Sequence, residues 1–275
     1  MQEEADEGHP PSECGLSTVS SQNAARVVGG STAELHAWPW QAFICVRTFE
    51  RRRSSGCVLR CGASVVAKRW ALTAAHCIEA FKRQPHRLTL VAGAHRLDTD
   101  RTNSSRESNG SDDTVWEQRR EIAALKVHPS YGSPLDYSHD VALLEVDGAR
   151  RKAISLETLH TNETEVVEGG DGVSVLRQVE LPLLERAKCL EQYGPDRVDD
   201  SMSCAGKEGL DSCQGDSGGP LVVRSRARWW QIGIVSWGEG CADGRHAGVY
   251  SRVTPHCDFI HATLGWQLCW KTASI

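Results

Sequence analysis

Short apolar segments separated by turn residues constrain the fold of this chain more than any other feature. From Val27 onward these segments recur, rich in Val, Ile and Leu and bounded by Gly, Pro, Ser or Asp. They occupy residues 42–46, 63–66, 88–91, 141–144, 219–223 and 231–235. Short segments of this kind are typical of antiparallel barrels and sandwiches. The sequence therefore predicts an all-β fold.

Only the C-terminal end of the chain is predicted to be helical. Phe259, Ile260 and Leu264 fall on one helical face after Pro255, and Gly265 is suited to end the helix. We therefore expect a C-terminal helix that packs its apolar face against the sheet structure.

Cysteine usage indicates an oxidising compartment. The 275 residues include eleven cysteines and only two methionines. Disulfides persist outside the cytosol, so we expect a secreted, extracellular protein. No paired C-x-x-C spacing suggests zinc, and neither a metal nor a cofactor is expected. The odd count leaves at least one thiol free or paired outside the chain.

The N-terminus does not carry the expected secretion signal. Residues 1–7 are polar and acidic, whereas a signal peptide has an apolar run. Either the sequence begins inside a longer precursor, or its secretion signal is missing from it. No stretch approaches the roughly 20 apolar residues of a membrane span. We therefore expect no membrane span in this chain.

The charge balance excludes one class of partner. The formal net charge is -5 and the pI is about 6.1, so the chain lacks the basic surface of a nucleic-acid-binding protein. With 40% hydrophobic residues, the chain is long enough to bury a sizeable core. Residues 1–25 are polar and are interpreted as a leader.

The sharpest motif spans residues 211–220 and reads Asp-Ser-Cys-Gln-Gly-Asp-Ser-Gly-Gly-Pro. A serine hydroxyl is a poor nucleophile until a base takes its proton, and it needs a tight turn to reach a substrate carbonyl. The glycines beside Ser217 leave backbone N–H groups available for a developing oxyanion. The motif therefore predicts a nucleophilic serine at position 217.

Two further segments carry candidates for the base and its partner acid. His76 lies in Leu-Thr-Ala-Ala-His-Cys at residues 72–77, where small neighbours let the imidazole approach another part of the chain. Asp140 opens the apolar segment 141–144. The remaining histidines are interpreted as surface or satisfied core residues, and His95 stays undecided.

Together the three segments resemble the trypsin-like serine proteases of the chymotrypsin fold, in the chain order His, Asp, Ser. The resemblance implies a double antiparallel β-barrel with the active site between the barrels. Residues 1–26 are then a leader or propeptide, 27–265 the protease domain and 266–275 a tail. The two barrels are expected at about 27–140 and 141–254.

The resemblance also implies the role of each site residue. Ser217 attacks the scissile carbonyl, His76 takes and returns the proton, and Asp140 orients the imidazole. Backbone N–H groups of Gly215 and Ser217 form the oxyanion hole. Asp211 lies at the base of the primary (S1) pocket and selects substrate Arg or Lys. The other implied pocket residues are Ser212, Ser236, Trp237, Gly238 and Gly248.

Zymogen activation follows from the same resemblance. Arg26 precedes Val-Val-Gly-Gly, which is similar to the activation site of the family. Cleavage after Arg26 frees the α-amino group of Val27, which then pairs with the carboxylate of Asp216. A buried charge without its partner is costly, so this pairing is expected to order the pocket and the oxyanion loop.

Three disulfides are implied by the resemblance: Cys61–Cys77, Cys189–Cys204 and Cys213–Cys241. Cys45 and Cys57 flank the arginine-rich tip of a predicted hairpin, which they are able to bridge. Cys14, Cys257 and Cys269 have no assigned partners. The sequons at Asn103, Asn109 and Asn162 predict glycan acceptors of open occupancy.

The resemblance is weak between residues 146 and 175. Relatives have a Gly-Trp-Gly turn there and a disulfide to the strand after the active serine, a strand that carries Val223 in this chain. Either the loops are shortened or coding sequence has been skipped.

The leading interpretation is a secreted serine endopeptidase that acts on proteins or peptides with Arg or Lys before the cut. Such an enzyme is also a target for protein inhibitors. The alternative is a binding protein on the same fold without catalysis.

Overall fold

The computed structural model describes residues 15–16, 30–34, 37–48, 56–95, 117–147, 175–212, 215–225, 228–242 and 244–265. The strands are β1 (Ser31–Thr32), β2 (Gln41–Thr48), β3 (Gly56–Ala67), β4 (Trp70–Thr73), β5 (Leu88–Ala92), β6 (Gln118–Val127), β7 (Ala142–Val146), β8 (Arg177–Gln178), β9 (Met202–Ala205), β10 (Pro220–Ser225), β11 (Arg228–Trp237) and β12 (Gly248–Arg252). The helices are α1 (Ala75–Ile78), α2 (Arg186–Tyr193) and α3 (Cys257–Leu264), with 3₁₀ turns at Glu79–Phe81, Pro85–Arg87 and Thr254–His256.

Six strands of the first half close into a barrel in the order β2-β3-β4-β7-β6-β5. All neighbours are antiparallel, and Ile44 of β2 lies opposite both Cys61 of β3 and Leu90 of β5. Successive side chains of a strand face opposite sides, so Ile44, Leu90 and Leu143 are fully buried in the barrel core. The barrel provides the rigid support for β4 and β7, which flank two of the candidate catalytic residues.

The second half contains, within the described ranges, an antiparallel sheet in the order β10-β11-β12-β9. Tyr250 of β12 is fully buried in it, and Ile234 of β11 belongs to the same apolar cluster as the barrel core. The pair β1 and β8 adds a short connection between the halves, with Ser31 opposite Gln178. The two halves therefore pack against each other through part of one apolar cluster.

The predicted C-terminal helix is confirmed as α3. Ile260 and Leu264 are buried in the barrel cluster and Phe259 packs against it. Gly265 ends the helix in the left-handed conformation, with φ 80°, and its N–H donates to the carbonyl of His261 at 2.9 Å. Glycine adopts this conformation without the steric cost that a side chain adds.

The expectation that only the C-terminus is helical is wrong, because α1 and α2 are also helices. The helix α2 has eight residues, and only Cys189 and Tyr193 are buried. Residues four apart lie on one helical face, so two buried side chains are enough to anchor a short helix but make a weak sequence signal.

Disulfides join neighbouring elements in both halves. The structure contains Cys61–Cys77 and Cys189–Cys204 as predicted, and also Cys45–Cys57 across β2 and β3. Each of the first two closes a short loop, and in the chain-entropy description such a bond adds about 3 kcal/mol to the free energy of unfolding. Cys241 and Cys257 are disulfide-bonded as well.

Several predictions concern residues outside the described ranges. These are the activation residues Arg26 and Val27, the cysteines Cys14, Cys213 and Cys269, and the sequons at Asn103, Asn109 and Asn162. The segment 148–174 also lies outside them, so its shortness is not explained structurally. In the leader, the carbonyl of Gly15 accepts a hydrogen bond from the N–H of Trp229 at 2.8 Å.

No helix among the described residues combines the length and the hydropathy needed to cross a membrane.

Candidate active site

His76 and Asp140 are brought together by the first barrel. His76 lies in α1, directly after β4, and Asp140 lies two residues before β7, the antiparallel neighbour of β4. The imidazole Nδ1 is 2.7 Å from Asp140 Oδ2, and the backbone N–H of His76 donates to Asp140 Oδ1 at 2.9 Å. The Asp140 side chain is fully buried. One carboxylate thus fixes both the ring and the backbone of the histidine.

A third group completes the hydrogen bonding of Asp140. The hydroxyl of Ser236 in β11 donates to Asp140 Oδ2 at 2.5 Å. Sequence analysis placed Ser236 in the substrate pocket, whereas the structure directs its hydroxyl to the acid. A buried carboxylate needs hydrogen-bond donors on both oxygens, and Ser236 supplies one from the opposite half of the molecule.

The backbone around His76 is held from several sides. Cys77 is bonded to Cys61 in β3, and the guanidinium of Arg60 donates to the carbonyl of Cys77 at 3.0 Å. Because α1 has only four residues, it has little stability of its own, and these contacts provide it.

The turn before Asp140 is held by a separate network. Ser138 and Ser201 both donate hydrogen bonds to Asp199, and the N–H of His139 donates to the Ser201 hydroxyl at 3.0 Å. Burial opposes ionisation of Asp199, but these hydrogen bonds outweigh it and lower the pKa of the carboxyl. The ionised Asp199 therefore anchors the turn that delivers Asp140.

Ser217 lies in a tight turn that contacts the first barrel. Its carbonyl accepts a hydrogen bond from the N–H of Gly62 in β3 at 2.8 Å. A Cβ on Gly218 would lie 2.3 Å from Thr73 Oγ1 and 3.2 Å from Cys77 Sγ. That same sulfur is 3.6 Å from His76 Nε2. The Ser217 turn is thus packed beside the imidazole.

The structure brings Ser217 near His76 but does not bond them. Among the described contacts, no hydrogen bond joins the Ser217 hydroxyl to the His76 ring. In enzymes without substrate, such bonds are often long and tighten only in the substrate complex.

The predicted oxyanion residues are on the same turn. Gly215 has φ 104°, a conformation that favours glycine, and Gly219 N–H donates to the carbonyl of Asp216 at 2.8 Å. The Asp216 side chain is buried. Its predicted partner, Val27, lies outside the described residues.

Asp211 is buried at the base of the second half. Its Oδ1 accepts the N–H of Gly248 at 3.1 Å, and its Oδ2 accepts the N–H of Ala242 at 3.3 Å. A Cβ on Gly248 would lie 2.6 Å from Asp211 Oδ1, so glycine is required beside the carboxylate. Backbone donors at Ala242 and Gly248 thus fix the position of the Asp211 carboxylate.

The remaining pocket residues surround this carboxylate. Tyr250 donates its hydroxyl to Ser212 Oγ at 3.0 Å, and burial together with nearby Asp211 and Asp216 raises the Tyr250 pKa. A Cβ on Gly238 would be 3.7 Å from the Cα of Gly248, so these glycines face each other across a narrow gap. Trp237 packs edge-on against Tyr193, with ring centroids 4.9 Å apart.

Tyr137, an exposed aromatic residue beside His76, was not predicted from the sequence. Its ring packs edge-on against His76 at 5.7 Å and stacks on Trp237 at 6.2 Å between centroids. It lies three residues before Asp140 and has φ 62°, which places it in the left-handed region. The Asp-Tyr-Ser-His run before Asp140 was the available signal, because an exposed tyrosine beside a catalytic acid is suited to contact a ligand.

Comparison with known proteins agrees with this arrangement. The family model described as Trypsin matches residues 27–260. Trypsin-1 of Astacus astacus is 32% identical over 253 residues, covering 86% of this chain and 99% of that protein. Ovochymase of Halocynthia roretzi is 31% identical over 275 residues, covering 92% of this chain, which spans only 16% of that longer protein. These matches confirm the predicted chymotrypsin-type double-barrel fold.

Proposed function

Because the chain belongs to the trypsin family of serine proteases, we propose that it is a serine endopeptidase that cuts after Arg or Lys. The observation that carries the proposal is the buried Asp140 carboxylate, which accepts hydrogen bonds from both the ring and the backbone of His76. A structural ion pair on a surface has no need for this arrangement, whereas a general base does.

The tautomer of His76 supports its role as the base. With the Nδ1 proton directed to Asp140, the neutral ring carries its lone pair on Nε2. In the proposed reaction, Nε2 takes the proton of Ser217 as its oxygen attacks the scissile carbonyl. The proton then passes to the leaving amine, and a water molecule repeats the sequence on the acyl-enzyme. The N–H groups of Gly215 and Ser217 stabilise the oxyanion both when the acyl-enzyme forms and when water hydrolyses it.

Asp211 supports the proposed preference for basic side chains. A buried carboxylate favours a cation, and the guanidinium of Arg can bond to it with two parallel N–H groups. In this proposal, the glycines at 238 and 248 leave room for the long aliphatic stem of the substrate residue. Lysine is shorter and reaches the same carboxylate through water.

We further propose that the enzyme is secreted as a zymogen, with residues 1–26 as propeptide and 27–265 as the protease domain. Cleavage after Arg26 would release the Val27 amino group to pair with Asp216, whose side chain is 1% exposed. The disulfides in both halves support an extracellular location. Protein inhibitors that present a basic residue are the expected partners besides substrates.

The experiment compares the chain before and after cleavage at Arg26, using matched arginyl, lysyl and leucyl amide substrates. We expect turnover of the first two substrates only after cleavage, and none with Ser217→Ala. Cleavage of the leucyl substrate alone would contradict the specificity. Cut sites in a mixed peptide library provide an independent reading of the same preference.

Among the described contacts no hydrogen bond joins Ser217 to His76, and this observation favours one second candidate, a catalytically impaired member that binds proteins. An active-site phosphonate that labels activated serine hydrolases separates the two. Stoichiometric labelling of Ser217 in the cleaved chain supports the enzyme. No labelling, with Val27 confirmed as the new N-terminus, supports the binding protein.

A further inference from the structure

Three histidines from distant parts of the sequence meet behind Asp140. His128 follows β6, His139 precedes Asp140, and His256 ends the 3₁₀ turn before α3. Their ring centroids are 4.9 Å, 5.1 Å and 5.2 Å apart in the three pairs. One ring nitrogen of each lies within 4.8 Å of the others. His256 is buried, and the other two are partly exposed, so the cluster is reachable from solvent.

The orientation of His256 prepares one nitrogen for a ligand role. Its Nδ1 lies 2.5 Å from the carbonyl oxygen of Arg252, which accepts only from an N–H. The proton of the neutral ring is therefore on Nδ1, and the lone pair is on Nε2. Metal-binding histidines are commonly held in this way by a backbone carbonyl on the other ring nitrogen.

The lone pair of His256 is directed at His139. His256 Nε2 and His139 Nδ1 are 3.1 Å apart. Two nitrogens that share a tetrahedral zinc ion at about 2.0–2.1 Å are separated by about 3.3 Å. Without a metal, His139 Nδ1 must carry a proton to bond with Nε2. With one, the proton moves to the other nitrogen of His139, and both rings turn so that their lone pairs converge on the ion.

His128 is the adjustable member of the cluster. Its ring stacks on His139 with an interplanar angle of 11°, and its Nδ1 accepts the N–H of Ser130 at 3.2 Å. Two stacked rings cannot both point at one ion, so His128 must rotate out of the stack to coordinate. Ser130 is exposed, and water can replace the hydrogen bond that it loses.

The surrounding charge favours a cation. Asp199 adjoins the cluster, since the Ser201 hydroxyl that accepts the N–H of His139 donates to Asp199 at 2.6 Å. The guanidinium of Arg252 is bonded to the carbonyl of Asp200 at 2.8 Å. Neutral imidazoles with an anionic neighbour suit zinc and the other borderline divalent metals.

We propose that His128, His139 and His256 bind a divalent transition-metal ion of the zinc class, with a fourth position open to water. Positions 128, 139 and 256 have no spacing typical of a metal motif, so only the fold brings these residues together. The site is distinct from the catalytic imidazole, since His139 is separated from His76 by Asp140.

The site has a consequence for catalysis, and this consequence alone rests on the proposed function. His139 has φ 52° and is joined directly to Asp140. Drawing its ring toward a metal shifts the backbone that positions the carboxylate. Zinc is therefore expected to lower kcat more than it changes KM, at the concentrations that fill the site.

The experiment titrates the full chain with Zn²⁺ alone by calorimetry, with His128→Gln and His256→Gln as test variants. His86→Gln, an exposed residue in the 3₁₀ turn Pro85–Arg87, is the matched control. We expect one site in the wild type and in the control, weakened at least about tenfold in each test variant. His76→Ala should bind Zn²⁺ like the wild type, which excludes the catalytic imidazole as the ligand.

A second reading uses Co²⁺, whose visible spectrum reports tetrahedral coordination. The wild type should develop this spectrum and His128→Gln should not. His128 is partly exposed, so this variant tests the site even if His256→Gln does not fold. Wild-type affinity and spectrum in His128→Gln, or no binding to the wild type, would overturn the proposal. Neither readout depends on protease activity.

Discussion

The two sides of the candidate active site are assembled differently. On the barrel side, His76 and Asp140 are joined by two hydrogen bonds, and the turn before Asp140 is anchored by Asp199. On the other side, Asp211 is held by backbone N–H groups and Ser217 makes no described hydrogen bond to the imidazole. The base and its acid are therefore joined without substrate, whereas no described hydrogen bond joins the nucleophile to the base.

The largest expected loss of activity comes from a change on the barrel side. Asp140→Asn should lower kcat of the cleaved enzyme about 10⁴-fold, because the amide favours the wrong tautomer of His76. Steady-state kinetics with an arginyl amide measures this loss, and thermal unfolding checks the fold. A loss below about tenfold would show that His76 does not depend on this acid.

The next largest expected loss of activity comes from a change in the pocket, on the side of Asp211 and Ser217. Asp211→Ser should reduce kcat/KM for arginyl substrates by about 10²- to 10⁴-fold, because a buried charge without its partner costs about 3–5 kcal/mol. The kcat/KM of the same variant for a leucyl substrate should not fall by a comparable factor. An equal loss on both substrates means that Asp211 supports the fold and not the selection of cations.

A smaller effect is expected where the two sides touch. Ser236→Ala removes a hydrogen bond to the charged Asp140, worth about 1.5–3 kcal/mol, so kcat should fall about 10- to 100-fold. Ser251→Ala is the matched control, since this buried serine in β12 has no hydrogen-bond partner for its hydroxyl among the described residues. If both variants behave alike, the Ser236 bond does not contribute to catalysis.

The smallest effect concerns the anchor of the Asp140 turn. The pKa of Asp199 is below its usual 3.8, so its ionised form stabilises the folded state at pH values above 3.8. This stabilisation is lost as the pH falls below 3.8 through the folded-state pKa. The Tm difference between the wild type and Asp199→Asn should therefore be constant near neutral pH and vanish in acid. Asp200→Asn, at an exposed carboxylate, should show no such dependence.

Much of the fold follows from local sequence patterns. All six predicted apolar segments lie at strands, namely β2, β3, β5, β7, β10 and β11, because a continuous apolar run bounded by turn residues makes a strong signal over a few residues. The strands β4, β6, β9 and β12 were not singled out. In β6 only Ile122 is buried, so few of its positions carry the signal of a core strand. The helix α2 was missed for the same reason.

The candidate site was predictable only where the motif is local. Ser217 and Asp211 belong to one run of residues, and His76 and Asp140 were each singled out by a local segment before the family resemblance gave them roles. The direction of the Ser236 hydroxyl, the position of Tyr137 and the meeting of three histidines depend on how distant segments pack. Sequence spacing carries no information on such contacts, and only the folded chain brings them within bonding distance.

The close approach at Gly218 limits how this protein can vary. A Cβ there would also lie 2.5 Å from the backbone carbonyl of Gly62, and φ is 82°. Because a backbone carbonyl blocks the space in addition to the Thr73 side chain, even alanine has nowhere to go. Any missense change in this codon should therefore separate the two halves at the point where they meet, and inherited variation at position 218 is expected to be inactivating whatever residue replaces glycine.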